Sequence, residues 1–122
     1  MIERLFYMNT RKAGKDYEEA AEDYLKSKGY RTLEKNYHCR YGEIDLIVRS
    51  EEGAVVFVEV KGRSKANWGD PAEAVTPLKQ KKILRTARDY IYKSRLSTET
   101  EYRFDVITFS QGRMEHIENA FY

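Results

Sequence analysis

The sequence predicts an α/β fold in which a mixed central sheet is flanked by helices. Two segments show the apolar periodicity of helices, and five shorter segments have the β-branched and aromatic content of strands. In chain order these elements read αβββαββ. A sheet covered by helices is the natural packing for such an order.

The first element is predicted to be a helix from about Gly14 to Lys28. Its apolar residues follow the i, i+3, i+4, i+7, i+8 spacing of a helix with one buried face. Gly29 stands where a C-terminal glycine cap belongs, and a strand follows around Tyr30–Tyr37. The residues of the apolar face are Tyr17, Ala20, Ala21, Tyr24 and Leu25.

Two β-branched runs, Glu43–Arg49 and Ala54–Lys61, are separated by Ser-Glu-Glu-Gly and predict a β-hairpin. Burying their aliphatic faces together, with a three-residue loop at Glu51–Gly53, fixes the register. Ile44, Leu46 and Val48 then share one face. The same register places Asp45 opposite Glu59, and Glu43 opposite Lys61.

The segment from Gly62 to Pro77 lacks periodicity, and a stretch of this length in a compact domain tends to be functional or mobile. The run Asp70-Pro71 with Glu73 has the N-cap, first-turn proline and acid of a short helix. Trp68 in this segment either stacks on a base or anchors the loop to the core, and the second reading is the commoner one.

The second long helix is predicted to open at Thr76-Pro77 and to reach about Lys93. Between Lys79 and Arg95 there are seven basic residues against one acid, Asp89. Such a segment suits a polyanion, although surface helices are also rich in Lys and Arg for solubility alone. The last two predicted strands are Tyr102–Phe109 and Arg113–Glu118.

The composition is that of one water-soluble domain spanning residues 1–122. Hydrophobic residues make up 41% and charged residues 34% of the chain, with a net charge of +2. No apolar run approaches the roughly 18 residues that span a bilayer, and no signal peptide is recognised. The lone Cys39 suits a reducing cytoplasm. We therefore expect a cytoplasmic protein with no membrane contact.

The opposed pair Asp45 and Glu59 predicts a metal site. Directly opposed residues have Cβ atoms about 4.5–5.5 Å apart, and like charges there are destabilising. A bound cation relieves that conflict. One cysteine and two histidines make a zinc site of the His/Cys type unlikely, so oxygen ligands and Mg²⁺ or Mn²⁺ are expected. The alternative is a wet hairpin face with exposed ion pairs, each worth about 0–1 kcal/mol.

The spacing of Asp45 and Glu59-Val60-Lys61 resembles the Asp…Glu-X-Lys signature of PD-(D/E)XK nucleases. That superfamily includes type II restriction enzymes and archaeal Holliday-junction resolvases. The chain also resembles the bacterial YraN-like family of restriction-endonuclease-like proteins. The runs that carry this second resemblance include GEIDLI at Gly42–Ile47, FVEVKGR at Phe57–Arg63 and RFDVI at Arg103–Ile107.

The resemblance implies a restriction-endonuclease-like fold with an αβββαβ core and assigns roles to site residues. Asp45 and Glu59 would bind the metal together with the carbonyl of Val60, and Lys61 would orient or activate the attacking water. Glu18 looks like the first-helix glutamate that reaches the same metal in junction resolvases. An exposed helix acid is the alternative reading for Glu18. Tyr17 stands where many relatives have glycine.

The activity implied is metal-dependent hydrolysis of phosphodiester bonds in DNA, with branched or damaged DNA among the candidate substrates. The alternative is a non-catalytic nucleic-acid-binding module that assists recombination or repair.

Asp105 is interpreted as structural, either pairing with Arg103 or capping. Relatives in the superfamily often act as dimers, so a homodimer is left open. The residues expected to contact the nucleic-acid backbone are Lys79, Lys81, Lys82 and Arg85.

Overall fold

The computed structural model describes residues 10–62 and 75–121, with side chains from residue 15 onward. The short helix predicted around Asp70, and the alternatives for Trp68, lie outside the described residues. Over the described ranges the chain forms two helices and five strands. In order they are α1 (Thr10–Ser27), β1 (Arg31–Cys39), β2 (Gly42–Arg49), β3 (Val55–Gly62), α2 (Pro77–Ser94), β4 (Tyr102–Ser110) and β5 (Arg113–Ile117).

The five strands form one mixed sheet in the order β1-β2-β3-β4-β5. Strands β3 and β4 are parallel, and the other three pairs are antiparallel. Parallel neighbours need a long crossover, and α2 lies within the segment that joins β3 to β4. The predicted fold class, a mixed central sheet flanked by helices with an αβββαβ core, is therefore confirmed.

Each face of the sheet is covered by one helix, because alternate residues of the central strands point to opposite sides. On β3, Val56 and Val58 belong to the cluster that holds α1, while Val55 and Phe57 belong to the cluster that holds α2. The α1 cluster consists of Ala20, Ala21, Leu25, Leu46, Val48, Val56, Val58, Ile107, Phe109 and Met114. The α2 cluster consists of Ile44, Ile47, Val55, Phe57, Val75, Ile83, Ala87, Tyr90, Phe104, Val106 and Phe121.

The start of α2 follows the predicted signal. The hydroxyl of Thr76 accepts a hydrogen bond from the backbone N–H of Lys79 at 3.2 Å, and Pro77 occupies the first turn. The helix ends at Ser94, one residue after the predicted Lys93, and its C-cap Arg95 adopts the left-handed conformation with φ of 52°. Helix α1 starts at Thr10, earlier than predicted, because the apolar stripe marks only the part that packs on the sheet.

The described helices are not membrane-spanning: neither is long and apolar enough to cross a bilayer.

Candidate metal centre

Strands β2 and β3 separate at the point where Asp45 and Glu59 lie. Their ladder follows the predicted register and ends at the pair Leu46 and Val58. Beyond that pair, β2 continues alongside β1, and β3 continues alongside β4. The two acids are next in register after the last ladder pair. The structure thus forms a fork between the central strands, with one carboxylate on each branch.

The side-chain alternation of β2 breaks at Asp45. Leu46 belongs to the α1 cluster as its position predicts, but Ile44 belongs to the α2 cluster. The prediction that Ile44 shares a face with Leu46 and Val48 is therefore wrong. On β1 the ladder has no pair at Asn36, which faces this position and has a φ of 51°. The irregularity displaces Asp45 from a regular strand orientation, which sequence alternation alone cannot show.

The carboxylate of Asp45 lies between the backbone of β3 and the carboxylate of Glu59. Its Oδ2 atom accepts a hydrogen bond from the backbone N–H of Val60 at 2.8 Å. Burial, then the charge of Glu59 and a side-chain hydrogen bond with it, raise the pKa of Asp45 from 3.8 to about 7. The conflict predicted from the sequence is thus present and appears as the raised pKa of Asp45.

Glu59 is also neutralised from α2. The Nζ atom of Lys79 lies 3.2 Å from Oε2 of Glu59, whose side chain is only 8% exposed. Lys79 was predicted to contact nucleic acid, and that role stays a prediction, but in this structure its ammonium group lies on the acidic pair. This contact was not predicted from the sequence, because Glu59 and Lys79 are far apart in the chain and meet only through the docking of α2 on the sheet.

Glu18 on α1 lies near the fork and is held by Asn36. Its Oε1 atom accepts a hydrogen bond from the Asn36 amide at 2.9 Å. Burial raises the pKa of Glu18, and the nearby negative charges of Asp45 and Glu43 raise it further. No role was predicted for Asn36 from the sequence. Because asparagine is depleted in strands, its presence inside β1 was a usable signal.

Lys61 and Val60 occupy the β3 branch of the fork. Lys61 is exposed and, two residues after Glu59, shares its side of the strand. Among the described residues it forms no ion pair, so the predicted neighbour Glu43 does not neutralise it. Val60 is half-buried and donates its N–H to Asp45. The proposed roles of the Val60 carbonyl and of Lys61 remain predictions.

The residues at the fork suit a hard divalent cation. Carboxylates and backbone carbonyls are the ligands that Mg²⁺ prefers in proteins, and Asp45 and Glu59 supply two carboxylates at one point. The fit is supported by the raised pKa of Asp45 beside Glu59 and by the Lys79 ammonium on Glu59, since both reflect negative charge concentrated at one point. Asp45, Glu59 and the carbonyl of Val60 are the ligands we expect.

A second group of metal-ligand types lies at the opposite side of the sheet. Ligand atoms of Asp105, His116 and Glu118 all lie within 4.8 Å of one another, and no other such group of three occurs in the described part of the chain. Arg103 already fills this group: its guanidinium lies 2.8 and 2.9 Å from the two oxygens of Asp105, and 3.3 Å from Glu118. We therefore interpret the group as a buried ion-pair network. The predicted pairing of Asp105 with Arg103 is confirmed.

Tyr17 docks α1 next to the Lys61 end of β3. Its ring stacks on Phe109 with the centroids 4.7 Å apart. A Cβ atom added at Gly62 would lie 2.4 Å from Cε2 of Tyr17, so the ring occupies the space that glycine leaves. The Tyr17 ring is thus accommodated because Gly62, at the end of β3, has no side chain.

The basic residues Lys81, Lys82 and Arg85 are exposed on α2, which begins beside the fork. Lys82 also lies close to the β1–β2 turn, since its Cβ atom is 3.6 Å from the position of a Cβ added at Gly42. The predicted nucleic-acid contacts therefore form a positively charged surface on the helix whose first turn reaches the acidic pair. Whether they bind nucleic acid remains a prediction.

Comparisons with known proteins give a family and a weak structural likeness. The family model described as "Uncharacterised protein family UPF0102" matches residues 17–109. A UPF0102 protein of Lachnoclostridium phytofermentans is 44% identical over 114 residues, covering 93% of this chain and 96% of that protein. A UPF0102 protein of Clostridioides difficile is 46% identical over 116 residues, covering 93% of this chain and 100% of that protein.

Among solved structures, the crystal structure of a repair endonuclease from Pyrococcus abyssi is similar over 89% of this chain. Its TM-score is 0.39 and its sequence identity is 11%. This chain spans 42% of the length of that protein. A score of this size supports no inference about activity.

Proposed function

The chain belongs to the UPF0102 family, the YraN-like family indicated by its sequence runs, and we propose that it is a divalent-metal-dependent nuclease that hydrolyses phosphodiester bonds in DNA. The observation that carries the proposal is the pair of carboxylates at the fork. Asp45 and Glu59 are next in register beyond the last ladder pair, and burial together with the charge of Glu59 raises the pKa of Asp45 to about 7. A buried like-charge pair is costly to keep unless it binds something positive.

The metal, when bound, would polarise the scissile phosphate and lower the pKa of a water molecule. The residues of this chain position the metal ligands and the attacking water. The Val60 N–H orients Asp45, and the strand ladder sets the position of Glu59. Lys61 projects from the same branch and forms no ion pair with another described residue, so its ammonium group is suited to position the attacking water or to hold the charge that develops on the phosphate.

The positive residues on α2 supply affinity for the nucleic-acid backbone. Lys81, Lys82 and Arg85 are exposed and lie two, three and six residues after Lys79, within two helical turns. Contacts of this kind neutralise phosphates without reading sequence, so they bring a strand to the fork whatever its bases. Lys79 can move from Glu59 to a phosphate once a cation balances the carboxylates.

A second candidate function is a binding module that cuts nothing by itself and assists recombination or repair. The ion pair between Lys79 and Glu59 favours it, since an ammonium 3.2 Å from the carboxylate already neutralises one acid without a metal. The two candidates differ in one respect. The nuclease exchanges this lysine for a cation, and the binding module does not.

The experiment is cleavage of a DNA panel by the purified protein with Mg²⁺ or Mn²⁺. The panel holds single-stranded, duplex, flap and four-way DNA, each end-labelled. Glu59→Gln is the matched control, because it keeps the shape of the side chain and removes its charge. Cleavage by the wild type and none by Glu59→Gln supports the nuclease. Tight binding with no cleavage of any substrate supports the binding module instead.

A further inference from the structure

A groove with aromatic and basic walls lies between the β1–β2 turn and the outer surface of α2. Its volume is about 470 Å³, within the range of sites that hold a small ligand. One wall is Tyr41 of the turn, and the others come from α2. The lining residues are Tyr41, Arg85, Arg88, Asp89 and Tyr92. None of them belongs to the acidic pair, and only Arg85 was expected to contact nucleic acid.

The two arginines of the groove are available for a ligand. Both are exposed, and among the described residues neither forms an ion pair. The single acid, Asp89, is already neutralised: it accepts a hydrogen bond from the Tyr37 hydroxyl, and its Oδ2 atom lies 3.1 Å from Nζ of Lys93. The net charge presented to a ligand is therefore positive. A guanidinium pair is suited to a phosphate, which it can bind through two parallel hydrogen bonds.

The two tyrosines expose ring surface beside these arginines. Tyr92 is 84% exposed and Tyr41 is 37% exposed, and they are two of the three large hydrophobic side chains exposed in the described residues. Tyr41 is held in place by Arg40, whose Nη2 atom donates to its hydroxyl at 2.7 Å and whose guanidinium lies 4.9 Å from the ring centroid. Exposed rings next to guanidinium groups are the combination on which nucleobases stack.

The groove lies along the helix that starts at the acidic pair. Arg85 and Arg88 are six and nine residues after Lys79, about 9–14 Å along the helix axis, and with 3.6 residues per turn they are turned about 120° and 180° around it. The groove therefore lies on the outer side of α2, and a strand that reaches both the groove and the fork must pass around the helix.

We propose that the groove binds an unpaired nucleotide of the DNA substrate, with its phosphate on Arg85 and Arg88 and its base against Tyr41 or Tyr92. This inference rests on the proposed function, because it takes DNA as the ligand and adds that the bound strand is single-stranded at this point. A base inside a duplex has both faces covered by its neighbours and cannot stack on a tyrosine. The substrate class is therefore DNA with a single-stranded segment.

The test is DNA binding measured without metal, so that cleavage plays no part. Fluorescence anisotropy in EDTA compares a labelled 12-nucleotide oligothymidine with a blunt duplex of 12 base pairs. Replacing both tyrosines (Tyr41→Ala with Tyr92→Ala) should weaken oligothymidine binding about 5- to 150-fold and leave duplex binding within twofold. Tyr92→Phe keeps the ring and should bind oligothymidine like the wild type.

The arginines are tested on the same two probes. Arg85→Ala with Arg88→Ala should weaken binding of both probes and flatten the dependence of log K on log salt by roughly one to two units. Arg31→Ala removes one exposed positive charge on β1, away from the groove, and is the charge control. It should leave both affinities within twofold of the wild type.

Three results overturn the inference. The first two concern the double tyrosine variant: its oligothymidine affinity is unchanged, or it loses the same affinity for oligothymidine as for the duplex. The third comes from an oligonucleotide carrying 5-iodouracil, which should form photo-crosslinks to Tyr41 or Tyr92 that mass spectrometry can locate; crosslinks only to other residues contradict the groove. Failure of the nuclease proposal is recognised separately, as DNA that binds in the groove but stays uncut with either metal.

Discussion

The side chain of Asp45 binds the backbone of Val60: Oδ2 accepts the Val60 N–H at 2.8 Å, just beyond the last ladder pair of β2 and β3. A side chain thus continues the connection between strands where the backbone ladder stops. Neither Asp45 nor Glu59 belongs to the two core clusters, so the core does not depend on the site and a chelator should not unfold the protein.

The raised pKa of Asp45 predicts how stability depends on pH. Its pKa is about 7 in the folded chain against an ordinary 3.8, so the folded state holds the proton more tightly than the unfolded state does. This contribution to stability is fully present below about pH 4 and is lost as the pH rises through 7. Asp45→Asn imitates the protonated form at every pH. In metal-free buffer it should be more stable than the wild type at pH 8, by about 1–2 kcal/mol, and equal at pH 4.

Urea unfolding at the two pH values measures this difference. Glu115→Gln, which changes an exposed acid on β5, serves as the control and should differ little from the wild type at either pH. An Asp45→Asn protein that is less stable than the wild type at pH 8 contradicts the repulsion between the two carboxylates.

Metal binding at the fork predicts a thermal shift. A ligand that binds only the folded state raises its stability, by about 2.7 kcal/mol at one hundred times Kd. Mn²⁺ or Mg²⁺ should therefore raise the Tm of the wild type, and neither Asp45→Asn nor Glu59→Gln should respond. The shift should grow as the pH rises through 7, because the cation displaces the proton on Asp45. An equal shift in all three proteins would place the metal elsewhere.

The contact between Tyr17 and Gly62 predicts a coupled pair of substitutions. Gly62→Ala puts a methyl group 2.4 Å from a ring atom of Tyr17, which should cost about 1–3 kcal/mol of stability. The cost should largely disappear when Tyr17 is also replaced by alanine, since the space is then open. A double-mutant cycle by urea unfolding measures the coupling. Equal costs with and without the Tyr17 ring would show that the loss has another origin.

The network around Asp105 predicts sensitivity to acid and to substitution. Burial acts to raise the pKa of Asp105, but hydrogen bonds from His116 and Arg103 lower it below its usual value. Its contribution is therefore present above the ordinary pKa and is lost as the pH falls through the lowered one. Asp105→Asn leaves the guanidinium of Arg103 without its buried partner and should cost about 3–5 kcal/mol in urea unfolding at pH 7.

The same variant separates the two metal hypotheses. If Arg103 fills the group as the structure indicates, Asp105→Asn and His116→Gln should keep the Mn²⁺ shift that the wild type shows. Loss of the shift in these variants, with the shift retained in Glu59→Gln, would assign the metal to this group instead of the fork.

The sequence predicted those parts of the fold that depend on local patterns. Alternation of apolar residues fixed the β2–β3 register, and the Thr76-Pro77 signal placed the start of α2. Both are properties of neighbouring residues. The opposition of Asp45 and Glu59 followed from the register and needed no other information.

The rest depended on contacts between residues distant in sequence or on local irregularity. The left-handed Asn36 breaks the alternation at Asp45 and moves Ile44 to the other face, which a regular pattern cannot reveal. The approach of Lys79 to Glu59 depends on how α2 docks over the sheet. Its sequence position marked it only as one of several basic residues on a helix.

The central claim is that Asp45, Glu59 and Lys61 form one catalytic site, and single-turnover cleavage of DNA by Lys61→Ala tests it most directly. The substrate is whichever member of the DNA panel the wild type cuts, and the Mn²⁺-induced Tm shift is measured on the same preparations. We expect cleavage to fall by about 10²–10⁴ while the Tm shift is retained, because Lys61 acts on the water or the phosphate and is not a metal ligand. Cleavage at the wild-type rate by Lys61→Ala, or activity that survives in Glu59→Gln, would contradict the account.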